Sequence, residues 1–261
     1  MLTHRIRLSR ARVATRMGAI CLALIGVAPL LGGPSRFERA VRVRRVPIVN
    51  PGFETTSRAM VPFEVTSGAR GLADPVGTYI FNGAQIVSID HPVGVDGWRT
   101  FAPADPNVLI YAGVLRPGVV GKGSAFLVGM SGDHVAASRV SPMAQTLEEV
   151  VRPSTTYLLR FSAGYGLDEF ASGVYVSMLA APDRDAFVFQ VGQPGVVFLA
   201  NTFTSSSIIP PPAGLMRSYT VSFTTPDVLP PELVGKYLVI SLVGSDGLPS
   251  MCFDDFELLA Y

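Results

Sequence analysis

Tyr157-Leu158-Leu159-Arg160-Phe161 is the stretch whose reading decides the fold. Side chains alternate across a strand, so Tyr157, Leu159 and Phe161 share one face while Arg160 points to the other. Working outward, short segments rich in Val, Ile, Phe, Tyr and Thr recur between turn residues, and none keeps a helical period. They fall at 78–81, 84–90, 108–111, 124–128, 143–147, 156–163, 173–179, 186–190, 196–199, 217–224, 236–243 and 251–259. Such a succession with no helix between its members predicts an all-β sandwich or barrel. In Tyr237-Leu238-Val239-Ile240-Ser241-Leu242 both faces are largely apolar, as in a central strand covered on both sides. Pro210-Pro211-Pro212 cannot donate to a ladder, so 209–214 is a surface connection.

The composition agrees. Hydrophobic residues make up 48% of the 261 and charged residues 16%, enough for a large core and unlike a disordered chain. The 26 Gly and 21 Pro are scattered, mostly singly, between apolar runs, the punctuation of many strands joined by turns. At this length an all-β chain can still be one domain.

The formal charge of +1 hides an asymmetry, because ten of the 21 Lys and Arg precede residue 46. Arg5, Arg7, Arg10, Arg12 and Arg16 stand before an apolar run over 17–31, the pattern of a secretory signal peptide. Those 15 residues, broken by Pro29, are short for a spanning helix, which needs about 20. The expected division is a signal peptide over 1–35, a basic tail over 36–45 and a jelly-roll domain over 46–261. Membrane contact is then confined to the signal segment before cleavage, and the product is secreted or held in the cell envelope. Removing five Arg and no acid leaves 16 basic against 20 acidic residues, a formal charge of −4, which argues against nucleic acid as a partner. Cys21 leaves with the signal, and Cys252 remains alone in an apolar stretch, a buried small hydrophobe.

Several motifs, in order along the chain, resemble carbohydrate-binding modules of families four and nine and related galactose-binding-like jelly rolls. They are Asn50-Pro51-Gly52-Phe53-Glu54, Gly97-Trp98, Gln145-Thr146-Leu147, the run from Arg152 to Phe161, and Phe253-Asp254-Asp255-Phe256-Glu257-Leu258. Ser154 stands where that pattern has a turn glycine, and Phe256 where it has Val. The resemblance implies a jelly-roll β-sandwich of two antiparallel sheets, akin to bacterial exported proteins of unknown role. It implies a non-catalytic module that takes polysaccharide, and it places Glu54 and Asp254 where such folds hold a structural Ca²⁺. A hard cation takes six to eight oxygens, which carboxylates from both chain ends plus backbone carbonyls can supply. The alternative is that both carboxylates bond turn amides, with Asp255 exposed at a strand edge.

Sugar recognition needs aromatic faces for stacking. Trp98, Tyr111 and Tyr165 are the candidates, with Tyr79 and Tyr175 behind them. Trp98 is the single tryptophan and equally suits the core. No enzyme signature is complete. Gly129-Met130-Ser131-Gly132-Asp133 lacks the second glycine of a nucleophile elbow, and Gly121-Lys122-Gly123-Ser124 lacks the features of a phosphate loop. His91 and His134 each follow an acid, as in solvated turns. The expectation is therefore a binding module and not an enzyme. An architectural surface protein without sugar binding, or a glycan hydrolase with an unrecognised site, are the other readings.

Overall fold

The alternation over 157–161 holds in space: Tyr157, Leu159 and Phe161 are buried and Arg160 is exposed. The structure is a computed structural model that describes residues 42–56, 59, 61–67, 77–88, 95–100, 111–118, 127–139, 141–166, 174–185, 193–202, 211–244 and 251–261, with the side chains of 61–67, 77–88, 111 and 139 excepted. The expected signal peptide, the segment expected at 186–190 and His91 lie outside the described residues.

Two antiparallel sheets face each other as a jelly-roll β-sandwich. The larger runs in the order β11 (Arg217–Thr224), β8 (Thr156–Gly164), β13 (Met251–Ala260), β6 (Val135–Arg139), β5 (Tyr111–Arg116), β3 (Gly77–Ser88) and β2 (Val61–Ser67), and β1 (Arg44–Val46) also pairs with β13. The smaller runs β10 (Val197–Asn201), β9 (Val174–Ala181), β12 (Tyr237–Gly244), β7 (Met143–Val150) and β4 (Arg99–Thr100). A 3₁₀ turn lies at Pro231–Leu233. β12 is central, and its alternation feeds two clusters. Leu238, Ile240 and Leu242 enter the main core, while Val239 packs with Ala144, Leu179 and Ala181 in a smaller one.

Two of the strands that the sequence did not single out have a physical reason for it. β2 contains Pro62, which weakens a strand reading, but it is the last strand of its sheet, where a missing N–H is tolerated. β6 is Val-Ala-Ala-Ser-Arg, a run with little strand propensity. Its small residues suit the close approach of the two sheets. A Cβ on Gly244 of β12 would lie 2.0 Å from the Ser138 carbonyl oxygen of β6.

β13 places both chain ends together. On the side away from β8, β6 pairs with its first residues and β1 with its last. Between those partners the β8–β13 register shifts from Asp254 to Glu257, with Asp255 at φ 54°. This bulge is where the functional corner is built.

Candidate functional site

Segment 48–56 enters the gap along β13 between β1 and β6, and the Phe256 N–H donates to the Pro51 carbonyl at 3.1 Å. The segment is anchored by Phe53, fully buried against Trp98 (ring centroids 4.9 Å apart) and Phe256 (5.9 Å). Phe256 in turn stacks on Phe161 at 5.4 Å. Four non-glycine residues among those described have positive φ, and Asn50, Phe53 and Asp255 of this corner are three of them. Such left-handed geometry costs roughly 1–2 kcal/mol per residue and persists only where surroundings over-determine it.

The two candidate acids meet one loop. The Ser131 N–H donates to Asp254 Oδ2 at 2.8 Å, and the Asp133 and His134 N–H groups donate to Glu54 Oε1 at 3.1 and 3.2 Å. Gly132 is required between them, since a Cβ there would lie 2.0 Å from Glu54 Oε1 and its φ is 70°. Asp254 Oδ1 accepts the Asp255 N–H at 2.8 Å, and Asp255 is exposed. Burial pushes the Asp254 carboxyl up to about 7 against its two amide donors, and the nearby acids Asp255 and Glu54 add to the rise. The His134 ring approaches too. Its Nδ1 is 3.1 Å from Glu54 Oε2, within ion-pair range but not aligned for a hydrogen bond.

These amide bonds and the exposed Asp255 are what the turn-amide alternative expects, and the same two carboxylates also suit a hard cation. Both acids keep unused lone pairs, and the penalty on ionised Asp254 is what a bound cation would relieve. Among the described residues no three His, Cys, Asp or Glu side chains gather where a metal could sit. Any cation here would therefore draw its remaining oxygens from backbone carbonyls or water.

Of the aromatic candidates, Trp98 and Tyr165 do not form an open face with these acids. Trp98 is 2% exposed, and its indole N–H donates to the Asn50 carbonyl at 3.2 Å. Tyr165 is half-buried against the main core, with its carbonyl accepting the Gly214 N–H. Tyr111 opens β5 opposite Arg139, with its side chain among those not described.

The 131–134 loop is the part sequence reasoning passed over. In sequence it reads as an incomplete nucleophile elbow and an acid–histidine turn, whereas its amides cradle two carboxylates. The Ser-Gly-Asp turn signal was present, but its target lies 79 and 123 residues away. A second polar cluster was also unforeseen. Arg44 forks onto the buried Glu149 carboxylate (Nη1 at 2.9 Å), Arg152 Nε lies 3.1 Å from the same group, and the Arg152 N–H donates to the Tyr157 hydroxyl at 3.0 Å. This ties β1 of the larger sheet to β7 of the smaller.

Fold and corner together define a jelly-roll sandwich whose two ends are joined beside a carboxylate pair. The chain belongs to the HpiC1-like family, whose sequence model, described as HpiC1 cyclase, matches residues 44–259. Among solved structures it is similar to a cyclase from Fischerella sp. TAU in complex with 4-(1H-indol-3-yl)butan-2-one, at 22% identity and TM-score 0.54, covering 84% of this chain and 98% of that one. The Stig cyclase Fisc from the same source, in complex with (3Z)-3-(1-methyl-2-pyrrolidinylidene)-3H-indole, matches at 22% identity and TM-score 0.53 with the same coverage. Nothing among curated proteins matches the chain.

These findings correct the functional reading. Kinship with carbohydrate-binding modules, the galactose-binding-like label, the non-catalytic role and the polysaccharide partner give way to membership of a cyclase family, so the chain is grouped with enzymes. The physical reason is plain in the motifs. Phe53, Trp98, Leu147, Tyr157 and Phe161 are all buried and Gln145 bonds the backbone, so they specify a sandwich and say nothing of what it binds.

Proposed function

We propose that this protein is an exported cyclase that closes a ring within a small, indole-bearing molecule. The observation that carries the reading is the family match over 44–259, which spans nearly every described strand. The indole class is taken from the ligands held by the two similar Fischerella structures. The Arg-rich leader supports export. Asp254 has a carboxyl group able to hold a proton near neutral pH, and it is buried at the corner.

At that corner Glu54 and Asp254 would hold a calcium ion that fastens segment 48–56 to β13. When bound, the ion would supply the positive charge that offsets the two carboxylates.

Incubating residues 36–261 with indole-bearing open-chain alkenes or ketones tests the reading. Ring closure without added atoms gives a product of unchanged mass and new retention on chromatography. No such product, together with no binding of 4-(1H-indol-3-yl)butan-2-one by calorimetry, would overturn it. Calcium is tested separately by melting, since an identical transition in excess chelator and in calcium removes the ion from the account.

A further inference from the structure

Gln145 of β7 is 3% exposed and spends its whole carboxamide on one residue of the opposite segment. Its Oε1 accepts the Val49 N–H at 2.8 Å, and its Nε2 donates to the Val49 carbonyl at 2.9 Å. A side chain thus imitates the two-bond pairing of a neighbouring strand. Gly97 makes room for it, because a Cβ at that position would come within 2.8 Å of Gln145 Nε2 and 2.6 Å of Val49 Cβ, at φ 79°.

The bond pair matters because the Val49 side chain is 54% exposed and gives the segment little apolar anchorage there. The chain then passes through Asn50 and Phe53, both left-handed, before it reaches Glu54. Buried Phe53 anchors the far end of this strained turn, and the Gln145 bond pair fixes its near end. We infer that Gln145 is a positioning residue for the cation site: from the smaller sheet it sets where segment 48–54 delivers the Glu54 carboxylate relative to Asp254 on the larger sheet, and it touches no ion itself. The inference rests on the calcium reading above.

Calcium titrations of the wild-type protein, Q145L and Q145E, read by calorimetry and by the calcium-induced rise in Tm, test it. Leu has nearly the shape of Gln and makes neither bond. Q145L should bind calcium about 10–100-fold more weakly, the range for residues that orient metal ligands. Its Tm should fall more with calcium than without. Q145E keeps the acceptor for the Val49 N–H and loses the donor, so its affinity should lie between the two, and it serves as the measurement if Q145L does not fold. A merely structural Gln145 would lower both melts equally and leave calcium affinity unchanged, which overturns the inference alone. A wild-type protein that ignores calcium overturns the calcium reading and the inference with it.

Discussion

At the residue scale the most informative group is Asp254. Its carboxyl is raised from 3.8 to about 7, chiefly by burial, so folding favours the protonated form. The stability this contributes is fully present below about pH 4 and is lost as pH rises through 7. In calcium-free protein, melting should therefore fall between pH 5 and 8 more steeply in the wild type than in D254N, whose side chain does not titrate. Equal slopes would place the charge penalty elsewhere. Calcium should flatten the wild-type slope by favouring the carboxylate. Trp98 makes a complementary case. It fills the centre of an aromatic group with Phe53 and Phe256, so W98A should lose about 3–5 kcal/mol in urea unfolding. As the single tryptophan it should also emit at short wavelength and resist iodide quenching. An exposed-type spectrum would contradict its placement. Ser154 shows how a residue can announce its geometry: it replaces a turn glycine of the sequence pattern and lies at φ 47°.

At the element scale, β1 is three residues long and depends on more than its ladder. Arg44 is partly exposed, but its partner Glu149 is buried, and hydrogen bonding to that carboxylate raises the guanidinium pKa further. R44A leaves Glu149 with Arg152 as its remaining cation among the described residues, so the loss should be about 1–2 kcal/mol once solvent screening is allowed for. Urea unfolding measures it, and a change below about 0.5 kcal/mol would show that β1 is held by backbone pairing alone. The elements most legible in the sequence were β8 and β12, where the alternation over 157–161 and the doubly apolar run over 237–242 match burial. β6 was not legible, because its small residues answer to a neighbouring sheet and not to strand propensity.

For the whole molecule, the corner of segment 48–56, the β13 bulge and loop 131–134 joins both ends of the domain across two sheets. Calcium removal should raise amide hydrogen exchange first at 131–134 and 50–56, with β8 and β12 protected. Uniform exchange throughout would mean that the ion, if bound, acts elsewhere. The sequence by itself determined an all-β succession of strands and the faces of β8 and β12, because alternation is a property of near neighbours, while the resemblance to jelly rolls supplied the sandwich and the pair Glu54 and Asp254. The tertiary structure alone decided that both acids share one amide loop, that Trp98 is core and that Gln145 grips Val49. Those contacts join residues 79 to 123 positions apart, or depend on which side of a packed sheet a ring falls. The scaffold motifs were legible and pointed to the wrong family, since burial selects them for folding whatever the molecule binds.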